Sequence, residues 1–395
     1  MATAEIFATL MESTPFTYVS SPMDIVNDAI RRNQLMPRFL RGRGKSEIVH
    51  TGPKVKDRML LDVTSNFRSY GPHDVHNYSN PQTGDEWENG WARYTEEMVW
   101  EEGEILHNFV PGLSRDAVKT VLKDVKNQKE QRLITSIVEG LDDLLWAQPN
   151  VATMENPAKG QTADAMSIPA LINEFTNGLY PAISGVTAAW TTKQNIDPTT
   201  KPAWDNQRIS YNPNTLASST LGLFASFRKM RRRLRFKPPT IGQEHFEADN
   251  YTRMFLACSE DGVTQYENML QEVGDKLRGN VMNPRDSSYG EVTFHGHMLE
   301  EVEALRDAEL YLNAAGNGLV GESAATVANA GPRYYWLNTY YLMLLMHKDK
   351  WLEKRKPKEP DRQIEVWVQP VVMWLQICAS SLRRQGIVYP VVASA

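Results

Sequence analysis

Cysteine is almost absent from this sequence. Cys258 and Cys378 are the two thiols among 395 residues, too few for a disulfide framework or a four-thiolate zinc site. Two reduced, buried thiols in a cytoplasm-like compartment are expected in preference to one bridge. Long apolar runs are missing as well. The most apolar stretch, Tyr340 to Met346, falls far short of the roughly 20 residues that cross a bilayer. The opening MATAEIFATLME has neither the basic start nor the apolar centre of a secretory signal. No charge dominates either: 43 Lys+Arg stand against 48 Asp+Glu, a net charge of −5, so the whole chain is not a strongly basic nucleic-acid binder. The composition that remains is that of a soluble globular chain, 41% hydrophobic with ten Trp, fifteen Tyr and twelve Phe, enough aromatic area for a sizeable core. The length fits two to three domains or one large irregular one.

Motifs that carry chemistry are also lacking. There is no Gly-x-x-x-x-Gly-Lys-Ser/Thr phosphate loop, no strand-flanked Gly-x-Gly-x-x-Gly, no His-Glu-x-x-His helix and no Gly-x-Ser-x-Gly elbow. His73 and His76 are three apart, and His295 and His297 flank a glycine. Two histidines at i, i+2 on one strand would share a face, yet no third ligand can be named. No catalytic residue, metal or cofactor is therefore expected, and the chain is not read as an enzyme.

Hydrophobic periodicity gives an α+β class. Residues 1–21 lack a clear period. A basic stretch follows, with Arg31, Arg32, Arg38, Arg41, Arg43 and Lys45 close together. From Glu47 to about Glu104 the period is two, and Tyr70 to Asn89 reads as the tip of a long hairpin. Its return arm carries Trp87, Trp91 and Trp100 among many carboxylates. An isolated two-stranded hairpin is marginal, so these indoles are expected to find their cover elsewhere. Next, Ser114 and Asp116 open a helical pattern that Pro149 closes. Such a rod is far longer than the average helix. Later elements are a helix over Leu216 to Lys237, a strand at Phe255 to Ser259 with an Asp261-Gly262 turn, and a helix from Tyr266. Val292 to His297 reads as a strand, Trp190 to Asn214 as loop, and Gly331 to Met346 and Glu365 to Leu375 as strands of a late sheet.

Charge layout adds two features. Arg228, Lys229, Arg231, Arg232 and Arg233 form the densest basic run; it suits either a helix C-terminus or a surface facing nucleic acid. The stretch 31–58 is basic, whereas 85–104 holds eight carboxylates against Arg93 alone. That asymmetry favours complementary contacts between copies of the chain.

The order of arm, long hairpin, long helix and mixed body resembles the major capsid proteins of tailed bacteriophages with the Hong Kong 97-type fold. The resemblance rests on LMPRFLRGRG at 35–44, Ser65 to Tyr70, WARYTEEMVWEEGE at 91–104, Leu144-Leu145-Trp146 and the segment Ser167 to Ile172. YYWLN at 334–338, His347 to Lys350 and Arg383 to Ile387 complete it. None of these is specific alone; their order over about 25–390 is what resembles the family.

The resemblance implies an N-terminal arm at 1–46, an extended loop (E-loop) at 47–108, and a peripheral domain at 109–165 with a spine helix at 114–147. A mainly axial domain at 166–330 and a return to the sheet at 331–395 follow. It implies a shell of hexamers and pentamers around double-stranded DNA, a virion location, and assembly in the host cytoplasm. Implied partners are other copies, a separate scaffolding protein, a portal protein, a decoration or cement protein, and packaged DNA held non-specifically. Trp87, Trp91 and Trp100 are expected to anchor the hairpin on a neighbour, with Arg41, Arg43 and Glu97 pairing across subunits. On that view Trp91→Ala would leave a folded monomer unable to assemble. An encapsulin-like nanocompartment shell, or a DNA-binding protein using 228–237, are the alternatives.

Overall fold

The computed structural model describes residues 48–49, 52, 54–61, 69, 84–101, 115–147, 149–155, 163–179, 189–213, 222–234, 254–273, 292–305, 331–358 and 366–391. The expected basic arm, with Arg41 and Arg43, residues 70–83 of the hairpin tip expected over Tyr70 to Asn89, His73, His76 and the Ser114 cap lie outside the described residues, and residues 84–89 of that tip form a strand instead.

Strands β1 (Ile48–Val49), β2 (Lys54–Leu60), β3 (Gly84–Gly90) and β4 (Ala92–Glu101) come first, followed by helix α1 (Arg115–Leu145). The short helices α2 (Val151–Met154) and α3 (Ile168–Leu171), strand β5 (Gln207–Tyr211) and helix α4 (Leu223–Leu234) occupy the middle. Next come β6 (Met254–Cys258), α5 (Glu260–Val273), β7 (Val292–Phe294) and β8 (His297–Glu301). The chain closes with β9 (Tyr334–Asn338), β10 (Leu342–His347), β11 (Glu353–Lys354), β12 (Val366–Ala379) and β13 (Gly386–Pro390).

These strands make three sheets. A six-stranded sheet runs β5-β13-β9-β6-β8-β7, and β2 pairs with β3 as a separate ribbon. A five-stranded sheet is built around β12, which pairs with β10, β11 and β4. Strands β6 and β9 are buried at every position, as expected of strands covered on both faces. Their alternation divides the core. Leu256, Tyr334 and Trp336 pack into the cluster under α4 and α5, whereas Phe255, Ala257, Tyr335 and Leu337 join the larger core that includes α1 and the five-stranded sheet.

Helix α1 has 31 residues, about 46 Å at 1.5 Å each, and matches the expected rod. Leu133, Ile137, Leu141 and Leu145 are buried along it. Ser136 Oγ donates to Glu96 (3.0 Å) and Lys129 Nζ to the Val99 carbonyl (2.9 Å), so the rod lies along β4.

Several expectations are corrected. The return arm is not one strand: β3 stays with β2, while β4 leaves the ribbon at Gly90-Trp91 and pairs with β12 in unbroken antiparallel register from Ala92↔Leu375 to Glu101↔Val366. That switch explains the tryptophans. Trp87, Trp91 and Trp100 are 1%, 5% and 2% exposed, and Trp91 Nε1 donates to the Gly52 carbonyl at 3.0 Å. Their cover comes from this chain itself: Trp100 lies on β4 and Trp91 just before it, in the core sheet, while Trp87 lies on β3 of the ribbon and joins the same buried cluster. A neighbour is not needed to bury them.

The Asp261-Gly262 turn is instead the first turn of α5. Two carboxylates there favour the helix dipole, and Gly262 serves close packing, since a Cβ would sit 2.8 Å from the Cys258 Cβ. The strand expected through His297 is a tight hairpin. His295 and Gly296 both have positive φ, +49° and +83°, the geometry that two-residue hairpin turns require. Gly331 to Met346 splits into β9 and β10, which belong to different sheets. The helix expected over 216–237 spans Leu223–Leu234, and the expected loop at 190–214 contains strand β5.

Replacing Trp100 by Ala is expected to cost the isolated chain about 3–5 kcal/mol, with Trp91→Ala similar. Urea unfolding of the unassembled chain measures this; a loss under about 1 kcal/mol would return the indoles to an inter-copy role.

Candidate functional site

Helix α4 presents a dense basic surface. Leu223, Phe227, Met230 and Leu234 recur at helical spacing and are fully covered, which fixes the rotation of the helix. Phe227 is the anchor: its ring meets Tyr334 at 5.0 Å, Phe294 at 5.3 Å and Trp336 at 5.5 Å edge-on, and stacks on Tyr266 at 5.7 Å. Ser226 Oγ also donates to the Ser210 carbonyl at 3.0 Å. With that face inward, Arg228, Lys229, Arg231, Arg232 and Arg233 are all exposed. The three arginines of the last turn also suit the helix C-terminus, and Arg233 donates to the Arg208 carbonyl at 3.0 Å.

The β7–β8 turn extends this surface. Burial first, then the charges of Arg231 and Arg228, lower the pKa of His295. His297 is lowered chiefly by burial, with Arg231 next. Both imidazoles therefore lie in the positive field of α4. Because His295 sits in the turn, the expected pair of histidines on one strand does not form. Among the described residues no group of three or more His, Cys, Asp or Glu could hold a metal ion, and no helix is long and apolar enough to cross a membrane.

Glu97 is exposed on β4, opposite Pro370 of β12. Glu101 shares that exposed side, whereas Glu96 points the other way, toward Ser136 of α1.

A buried polar hub, which sequence reasoning missed, ties the ribbon to the body. Residues Lys193 to Ile196 form a tight turn with Gln194 and Asn195 at positive φ. The Glu155 carboxylate holds it, accepting from the backbone N–H groups of Gln194 and Asn195 and from the Thr192 hydroxyl. The Gln194 carbonyl accepts from Glu88 N of β3 at 3.1 Å, and its side-chain oxygen accepts from Ala379 N of β12 at 3.3 Å. Lys193 Nζ is buried and donates to the Leu171 carbonyl (2.7 Å) and Asn206 Oδ1 (3.2 Å). Nearby, Arg333 makes a two-pronged pair with Glu174 at 2.8 and 2.9 Å. The available signal was thin: polar residues inside a proline-containing stretch read as loop.

Neither a protein-family model nor a curated protein sequence matches the chain. Solved structures do. The Cyanophage A-1(L) capsid asymmetric unit superposes with a TM-score of 0.55 at 10% identity, over 94% of this chain and 96% of that one. The chain has a phage capsid fold. The Cyanophage Pam1 capsid asymmetric unit aligns at 14% identity and TM-score 0.49, over 96% of this chain and 99% of that one. The bacteriophage PhiM1 mature capsid gives 11% identity and TM-score 0.48, over 95% and 92% respectively. Among the described residues, α4 carries a basic surface and β4 exposed carboxylates.

Burial lowers the Lys193 pKa to about 7, far below the ordinary lysine value near 10.4. Above pH 7 the unfolded chain therefore holds a proton that the folded chain does not, so raising the pH stabilises the fold. The gain begins near pH 7 and approaches about 1.4 kcal/mol per pH unit. Urea midpoints between pH 7 and 8.5 are expected to rise, and Lys193→Met to flatten that rise. Equal slopes in the two proteins would show that Lys193 stays charged.

Proposed function

We propose that this chain is the major capsid protein of a tailed phage, assembling into hexamers and pentamers that form an icosahedral head around double-stranded DNA. One observation carries the reading: the superposition on a phage capsid chain runs nearly end to end in both molecules. A fold shared over such lengths leaves little of the chain for a separate catalytic unit.

In this reading the organisation is of the Hong Kong 97 type. The arm is 1–46, the E-loop 47–108, the peripheral domain 109–165 with α1 as its spine, and the mainly axial domain 166–330. The segment 331–395 returns through both large sheets, since β9 and β13 lie in one and β10 and β12 in the other. Strand β4, though inside the E-loop span, serves the body. Arg41, Arg43 and Glu97 are contact residues between copies. Trp87, Trp91 and Trp100 shape the hairpin base from within and act on assembly only through it.

The exposed cations of α4 face the packaged DNA and neutralise phosphates without reading sequence. A scaffolding protein, a portal protein at one vertex and a decoration or cement protein are the remaining partners. The finished location is the virion, reached from the host cytoplasm.

Electron microscopy of the expressed chain, with and without its scaffolding partner, is expected to show closed shells of uniform size. A chain that stays monomeric at every concentration beside that partner would overturn the reading. For the basic surface, double-stranded DNA binding is expected to weaken with salt. Arg231→Ala and Arg232→Ala should each lower the log–log slope by about 0.9 for every phosphate no longer neutralised. Unchanged slopes would place the DNA elsewhere.

A further inference from the structure

The sheet around β12 has edges of opposite charge. At Val371 the register runs Glu96, Val371, Lys354; at Val372 it runs Thr95, Val372, Glu353. Each β12 residue in these rows has a partner on either side, so β4 and β11 lie on opposite flanks. The β11 flank continues beyond the strand: Arg355 N donates to the Pro370 carbonyl at 2.9 Å, and Lys358 bridges to Val368.

Strand β4 carries Glu96, Glu97 and Glu101 against Arg93, and the Arg93 guanidinium is occupied over the Trp374 ring at 4.4 Å. Glu97 and Glu101 are exposed. The other flank carries Lys354, Arg355, Lys356 and Lys358 against Glu353, and the Glu353 carboxylate is held by Lys350 at 2.6 Å. Arg355, Lys356 and Lys358 are exposed, and Lys354 is shared with Glu130 of α1. Among the described residues β12 is the one strand β4 pairs with, and β11 likewise ends its sheet. Apolar surface accompanies the charge: Val99, in the row of Val368 and Lys358, is 43% exposed.

An open strand edge attracts another strand or chain unless something blunts it. Here Lys129 covers one carbonyl, that of Val99. Two edges of one sheet with opposite charge are complementary between copies but not within one, because β12 always separates them. Such a contact is heterologous, head to tail, and generates rings where the rotation closes.

We infer that copies of this chain join side by side through this sheet, with Glu97 and Glu101 of β4 on one copy facing Arg355, Lys356 and Lys358 on the next. The inference rests on the proposed self-assembly and names which surfaces meet. It places the counter-charge of Glu97 in the body of the neighbour, not only in an arm.

Charge reversal and exchange tests it. One variant carries Glu97→Lys with Glu101→Lys; a second carries Arg355→Glu, Lys356→Glu and Lys358→Glu; a third combines all five. Sedimentation velocity and light scattering at low and moderate salt read the assembly. Each reversed variant alone is expected to need at least about ten times more protein to assemble than the wild type. An equimolar mixture of the two should co-assemble, and the fivefold variant should recover. Recovery excludes misfolding as the cause of the defect.

If the wild type assembles and both reversed variants do so equally well, the edge pairing is wrong while the capsid reading stands. If only the β4 reversal matters, and mixing restores nothing, the acidic edge is covered by the basic arm and this inference fails. A wild type that never assembles, even beside its scaffolding partner, removes both.

Discussion

The fold depends on the pairing of β12 with β4. Strand β12 has 14 residues and meets three other strands, one of them brought back from the first quarter of the chain. Glu101 lies opposite Val366 and Ala92 opposite Leu375, so nearly the whole described body must be in place before the sheet is complete. Such non-local pairing makes folding slow and leaves unpaired edges exposed on the way. It also settles where the ribbon stands. With β4 fixed against β12, β3 and β2 must leave the body at Gly90-Trp91, and the Lys193–Ile196 turn secures that departure through Glu88 and Ala379.

Local periodicity made some elements readable and hid others for definable reasons. Helix α1 was legible because its apolar residues recur over many turns with polar residues between them. Strands β9 and β10 were legible as β-structure, but not as members of different sheets. Nothing in an unbroken aromatic and apolar run says which face each residue will serve, and Asn338-Thr339 is a small mark for so large a change of direction. Asp261-Gly262 misled because its dipeptide favours turns, whereas a close approach to Cys258 is what the glycine permits. The basic face of α4 was legible as a charge run, and its five cations prove to share exposure because Phe227 fixes the opposite face.

The tryptophans mark the boundary of what sequence could decide. Aromatic residues on a hairpin arm need cover, and that inference was physically sound. Whether the cover is a second copy or the same chain depends on whether the arm stays a hairpin. Composition does not encode that, because β4 reads equally well as a hairpin return or as a sheet strand. The partner strand lies some 270 residues away in sequence.

With the indoles already buried, their apolar burial belongs to the folding of the single chain, and the contacts proposed between copies are charged pairs. Exposed ion pairs are weak, about 0–1 kcal/mol each, and salt screens them within about 10 Å. A shell built on such pairs gains its stability by repetition, since a copy held at several places re-forms any one broken interface before it can leave. Weak individual interfaces have a second consequence. Copies placed wrongly can detach and try again, which interfaces built on buried tryptophan would not allow on the same timescale, because most differences in affinity reside in the rate of dissociation. If the proposed shell forms, completing the core within each chain and leaving charge at the edges of the sheet would let copies correct their positions as the surface closes.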